Sequence, residues 1–325
     1  MMELKRMGLA AGAALLGALL GVSAASAQPS AIATLPPGAI NNIQAGVIAK
    51  VIQENSDLQM RLVSFNSPAA ILGATQNKQA EFSYTSNDEA GVAIRGKDEY
   101  EGNAMTDLRV ATVVFPFRVG LIVRNNSDIK TIADLKGKRL PVGWQGFLQG
   151  IPLMRAQLAN GGLTLEDGEP VPVTDLLSAA DDFKAGKVDV FTFAVGGPKV
   201  AEINSSVDGG VRFLPFDDSP KALEAMAAIR AEYHVAEAQP APHLPGIIGP
   251  TKVMEYAIVL LVGKDVPDDV VYKAAKALHA SKEQLVAGHP SFNAFNPAGM
   301  ALPQPGMEFH PGAIKFFKEA GIWKE

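Results

Sequence analysis

Val110-Ala111-Thr112-Val113-Val114-Phe115-Pro116-Phe117-Arg118-Val119-Gly120-Leu121-Ile122-Val123 is two apolar, β-favouring runs joined at a proline. Valine, isoleucine and phenylalanine suit extended chain, but Pro116 has no N–H to give to a ladder. The segment reads as a strand interrupted at Pro116 and then resumed, passing from one lobe to another. Residues 253–262 form a second long apolar segment suited to the return crossing. Two crossings make a hinge, and a hinge between two open sheets makes a cleft.

Strand-like and helix-like segments alternate around these crossings. Residues 31–35 are short and apolar and are broken by Pro36-Pro37-Gly38. Asn41 or Asn42 suits the N-cap of a helix whose apolar stripe is Ile43, Val47, Ile48, Val51 and Ile52. A second strand is expected over 60–65. Ser67 then suits an N-cap and Pro68 the first helical position of a helix running to Gln76. A third strand over 80–84 ends at Thr85-Ser86-Asn87. Strands separated by helices of this length imply parallel pairing through right-handed crossovers. The run from Asn77-Lys78 into Ala80-Glu81-Phe82-Ser83-Tyr84 is echoed by Gly186-Lys187 leading into Val188-Asp189-Val190-Phe191-Thr192-Phe193. Two α/β lobes built on one plan would give this echo, although any two helix–strand turns look somewhat alike. Asp181-Asp182 and Asp268-Asp269 are placed at helix starts, where the dipole favours them. Helices over 267–280 and 311–320 complete the first lobe. The expected fold class is α/β, a two-lobe type II periplasmic binding protein fold with each lobe an open sheet flanked by helices. Residues 28–118 begin lobe 1, 119–253 form lobe 2, and 254–325 return to lobe 1.

Residues 1–27 read as a secretory signal peptide. Lys5 and Arg6 precede an uncharged apolar run over 7–22, and Ala25-Ser26-Ala27 is a small-x-small cleavage pattern. The mature chain is expected to start at Gln28 and to be free in the periplasm. Cysteine is absent, so stability rests on the core without disulfides, and thiolate chemistry is excluded. Losing Glu3, Lys5 and Arg6 takes the formal charge from −5 to −6. No basic run marks nucleic acid or an anionic membrane as a partner.

Catalytic motifs are missing: no nucleophile elbow, phosphate loop, dinucleotide fingerprint or H-E-x-x-H zinc motif occurs. His234, His243, His279, His289 and His310 lack metal-ligand spacing, and His289 and His310 precede prolines, where turn or cap roles are expected. Neither a metal nor a cofactor is expected, and the protein reads as a binder rather than an enzyme. Ligands of open α/β sheets settle at strand carboxyl ends, where helix N-termini offer free N–H groups. The loops over 36–42, 65–68, 143–147 and 195–198 are the candidates. In Gly143-Trp144-Gln145-Gly146-Phe147 the glycines allow close approach, Gln145 offers an amide, and Trp144 offers a flat apolar wall or else plugs an interlobe contact. Arg118 either clamps a ligand carboxylate or pairs with a neighbouring acid, Glu255 being one choice. Tyr256 can donate to a ligand oxygen. The candidate ligand-binding residues are Pro37, Asn66, Ser67, Asn87, Arg118, Trp144, Gln145, Gly146, Phe193, Gly197 and Tyr256.

These residues resemble those of the TAXI family, the extracytoplasmic solute receptors of one branch of TRAP transporters. The resemblance runs through Ser64–Ser67 at the place of a Thr-x-Gly-Ser segment, Leu72, Asn77-Lys78-Gln79-Ala80-Glu81-Phe82 and Asn87-Asp88. It continues through residues 128–139, 191–198, Val266-Pro267-Asp268-Asp269 and residues 310–317. It implies a monomeric receptor that captures a small organic acid and delivers it to TRAP membrane permease subunits. The departures fall on loops expected to line the cleft: Leu35-Pro36-Pro37-Gly38-Ala39-Ile40, the 143–147 loop, and Asn66 where the family has glycine. A glutamate-like ligand is therefore not carried over. An ABC-type binding protein of the same fold is the nearest alternative, and a secreted enzyme ranks behind both.

N-terminal sequencing of periplasmic material should start at Gln28. Membrane-bound protein starting at Met1 would refute the signal peptide.

Overall fold

The computed structural model describes residues 29–324, so the signal-peptide reading lies outside the described residues. The chain opens with β1 (Ser30–Thr34), α1 (Ile40–Glu54), β2 (Met60–Ser64), α2 (Pro68–Gln76), β3 (Phe82–Ser86) and α3 (Asn87–Arg95). After β4 (Leu108–Arg124) the order recurs as β5 (Arg139–Gly143), α4 (Gly150–Asn160), β6 (Glu169–Val173), α5 (Leu176–Lys184), β7 (Phe191–Ala194) and α6 (Pro198–Ser206). Then come β8 (Val211–Phe213), α7 (Pro220–Ala227), β9 (His234–Ala238), β10 (Thr251–Gly263), α8 (Asp268–Ala280), α9 (Lys282–Gly288) and α10 (Pro311–Glu319).

Two copies of one β-α-β-α-β-α unit share more than their order. Ser67 caps α2 by accepting from the Ala70 N–H, and Asp175 caps α5 by accepting from the Ser178 N–H. Each of these helices ends on a residue with positive φ, Lys78 in one and Gly186 in the other. A carboxylate then ties the third strand to the first. Glu81 accepts from the Ala31 N–H at 2.5 Å, and Asp189 from the Arg139 N–H at 2.8 Å. The pairing β1–β2, β1–β3 and β5–β6 is parallel, as helical crossovers require.

The crossing strands differ from expectation in one respect. Pro116 does not interrupt β4, which runs unbroken for 17 residues, antiparallel to β10. Asn87 explains this. Its Oδ1 accepts the Ala257 N–H at 2.9 Å from the β3 side, so Ala257, opposite Pro116, turns its N–H away from β4 and no ladder bond depends on the N–H that proline lacks. The register slips twice, once between Ile258 and Val259 and once between Leu260 and Leu261, which bends the ribbon. The eight-stranded sheet is ordered β2-β1-β3-β10-β4-β7, with β8 added to β4 and β9 to β10. One half of each long strand thus serves each unit.

Smaller departures have local causes. α1 starts at Ile40 with no side-chain cap, and Asn42 instead donates to the Leu35 carbonyl. Asp181 and Asp182 lie in the last turn of α5, because that helix already starts at its Asp175 cap; Lys199 and Lys187 offset their charge against the dipole. Asp268 and Asp269 do open α8. His289 and His310 act as caps, accepting from the Ser291 and Gly312 N–H groups. Among the described residues no helix is long and apolar enough to cross a membrane.

Asp189 also receives the Arg139 guanidinium at 2.5 and 3.1 Å. Burial raises its pKa, but the bonds and charge of Arg139 outweigh that and hold the carboxyl below its usual value. Its stabilisation is present at neutral pH and is lost as pH falls through that lowered value. Asp189→Asn should cost about 2–3 kcal/mol in urea unfolding at pH 7, and the cost should shrink as the pH is taken below the ordinary Asp pKa of about 3.9.

Candidate functional site

Because β1, β2 and β3 are parallel, their following loops gather at one edge, and the same holds for β5 and β6. α1, α4 and α6, the helices that follow β1, β5 and β7, have no side-chain cap. The Ile40 and Asn41 N–H groups of α1 and the Lys199 N–H of α6 are left without an acceptor among the described residues, whereas α4 spends its own, Gly150 donating to Phe147 and Ile151 to Leu148 ahead of Pro152. The two edges meet at Asp88, in the first turn of α3 and 1% exposed. Gln149, at the start of α4, donates its amide to both Asp88 oxygens at 2.8 and 3.1 Å. Tyr233, just before β9, donates its hydroxyl at 2.7 Å. One carboxylate of the first unit is thus held by two donors from the second half of the molecule.

An aromatic floor lies beneath this tie. Tyr233 packs tilted against Tyr256 with ring centroids 5.7 Å apart, and Tyr256 against Phe117 at 5.4 Å. Burial pushes the Tyr233 and Tyr256 hydroxyls well above their ordinary pKa, so both stay protonated donors. Next along the two strands, Arg118 and Glu255 form a directly opposed pair, so they project from the other face of the ribbon. Arg118 Nε donates to Glu255 at 2.7 Å, and His234 meets the same carboxylate at 3.0 Å. Burial raises Glu255, but the bonds and charges of His234 and Arg118 prevail and lower its pKa. The bond to Glu255 is the main cause that raises His234. Of the two readings open for Arg118, the structure contains the pairing with Glu255.

The other predicted residues divide by exposure. Pro37, Asn66, Ser67, Gln145 and Gly146 are exposed on the loop edges. Phe193 is half-buried and folds over Gly197, where an added Cβ would come within 2.8 Å of the ring. Asn87 is fully engaged, bonded to Ala257 and to Gln304 at 2.8 Å. Trp144 is corrected most. Rather than walling the cleft, it is 1% exposed, and its ring lies beneath the start of α4. The cause is local: Trp144 itself adopts a φ of 51°, which turns the side chain inward, and its indole N–H has no acceptor among the described residues. Asp88, Gln149 and Tyr233 escaped the sequence reading. Asp88 carried a signal, a charged residue at the strand-to-helix junction after β3; Gln149 and Tyr233 carried none.

With this geometry in place, residues 32–321 match the NMT1-like family. The chain belongs to the NMT1-like family. The TctC solute binding protein from Polaromonas superposes with a TM-score of 0.56 at 15% identity, over 84% of this chain and 89% of that one. XAC2383 from Xanthomonas citri, in its ATP-bound structure, superposes with a TM-score of 0.52 at 10% identity, over 90% of this chain and 96% of that one. At such identities the likeness is one of fold, and the NMT1-like chain has the two-lobe α/β fold of periplasmic binding proteins.

The burial of Trp144 generates a test. A Cβ at Gly150 would lie 2.5–2.8 Å from the indole ring. In an unconstrained helix Gly→Ala stabilises. Here Gly150→Ala should destabilise by about 1–3 kcal/mol in denaturant melts through overpacking. A gain in stability would show that the ring lies elsewhere.

Proposed function

We propose that this NMT1-like protein is a periplasmic solute receptor of the TAXI type. It captures a small organic acid between its lobes and hands it to a TRAP permease. Residues 28–118 and 254–325 form one lobe in this reading and 119–253 the other, with the chain monomeric and without catalysis. The observation that carries the reading is the Asp88 tie, placed where strand carboxyl ends from both halves face each other. A solute seated there touches both lobes and favours the closed state by differential affinity. Its carboxylate is taken by the uncapped starts of α1 and α6, with Pro37, Asn66, Ser67, Gln145, Gly146 and Gly197 on the surrounding loops. Phe193 and Tyr256 face its apolar body, Trp144 supports α4 from below, and Asn87 and Arg118 brace the crossing strands. Fold likeness to a TctC solute binding protein and the TAXI-like motifs support this choice.

Native mass spectrometry of the purified protein identifies what co-purifies, and calorimetry with that acid then tests the cleft. Asp88→Asn and Gln149→Ala should each weaken binding more than about tenfold, because each breaks the charged tie that holds the two halves in the closed arrangement. Wild-type affinity in both variants would remove the solute from this cleft. A neighbouring gene for a large multi-span permease supports the TRAP assignment, whereas a neighbouring ATPase gene would replace it with the ABC one.

A further inference from the structure

Beside the cleft, on the far side of Gln149, lies a cavity of about 380 Å³ with walls from both halves of the chain. Glu89 of α3, with Asp98 and Glu99 of the short 3-10 turn that follows, forms one wall. Ile151, Pro152 and Ile229 bring apolar lining from the other half of the chain, beside Arg155 and Arg230. Gln149 is shared with the cleft, whereas Asp88 and Tyr233 do not line this cavity.

Glu89 is the unusual member. It is only 9% exposed, and one oxygen accepts the Tyr100 hydroxyl at 2.5 Å. The other oxygen has no hydrogen-bond partner among the described residues. Burial, followed by the Asp88 and Glu99 charges, pushes this carboxyl up to about 7, against the Tyr100 bond and the Arg230 charge. A buried acid with a free oxygen, facing hydrocarbon across a cavity, lacks a counter-charge.

The neighbouring cations do not supply one. Arg230 is held by Asp98, and Arg155 is exposed at the rim. An entering anion would meet Glu89 and Glu99 with only that rim arginine to offset them. A metal ion is a poor fit, since no cluster of three or more metal-ligating side chains exists among the described residues. A primary ammonium on a short hydrocarbon stem matches both walls: its N–H groups reach the free Glu89 oxygen, and its stem lies on Ile151, Pro152 and Ile229.

We propose that this interlobe cavity binds a small organic ammonium ion, with Glu89 as its counter-ion. Because each half supplies one wall, occupancy stabilises the closed arrangement, and the site modulates the cleft without belonging to it. The ammonium pairs with the ionised carboxylate, so binding expels a proton at low pH. Affinity must therefore fall as pH drops below about 7.

The test is calorimetry with n-butylammonium chloride against sodium chloride at matched ionic strength, on the full mature protein. Wild type should bind one equivalent at pH 8 and about 30-fold more weakly at pH 5.5, the ratio a single group titrating near 7 imposes. Glu89→Gln keeps the shape and an acceptor for Tyr100, and it should bind at neither pH while melting like wild type at pH 5.5. Equal affinity in Glu89→Gln, a pH-independent wild type, or no saturable binding at pH 8 overturns the proposal. The wild-type pH arm decides the matter even if the variant fails to fold.

Discussion

The antiparallel pairing of β4 with β10 is the constraint on which the molecule depends, because these strands run from one half of the sheet into the other. A proline in the middle of a central strand would ordinarily break such a ribbon. Here it does not, because Ala257 opposite Pro116 gives its N–H to Asn87 on the β3 side and no ladder bond depends on the proline; the other end of Asn87 is fixed on Gln304. An unpaired N–H buried there would cost about 1–3 kcal/mol, concentrated at the point where the halves join. Asn87 is thus more valuable to the crossing than to any ligand. The next residue, Asp88, inherits its position from the same turn: with Asn87 pinned to β10, Asp88 is carried to the boundary between the halves.

Much of the architecture was legible in the sequence because it is written in local terms. Apolar alternation, Ser67-Pro68 as a helix start and the two helix–strand echoes all report short-range preferences. The echo is real at the level of bonds, since Glu81 and Asp189 tie matching strands in their two units. What stayed hidden depends on partners far away in the chain. Pro116 looks like a break until its partner Ala257 is seen to turn its N–H to Asn87, and Asp181-Asp182 look like a helix start until the Asp175 cap is known to lie upstream.

The candidate site was legible as loops but not as side-chain directions. Glycine content marked the 143–147 loop correctly as a special turn, yet the positive φ fell on Trp144 as well as Gly143, which turned the ring inward. Alternation along β4 and β10 separates Arg118 from Tyr256, since a strand sends adjacent residues to opposite faces. Sequence proximity to Phe117 hid that separation. Gln149 became visible only through Asp88, because one amide among many carries no periodic signal.

The nesting of one unit inside the other also bears on how the chain acquires its structure. Arg118 and Glu255, partners across the ribbon, are separated by 137 residues. The open edge of β3 waits for β10, a strand made only after the whole second unit. Such long loop closures slow folding and favour a late, cooperative finish. The second unit can assemble from a continuous stretch, whereas the first must wait for nearly the entire chain. A ribosome or a translocation pore releasing this polypeptide from its N-terminus would therefore meet an unfinished sheet until the last quarter emerges, with β3 the edge most in need of protection from other strands.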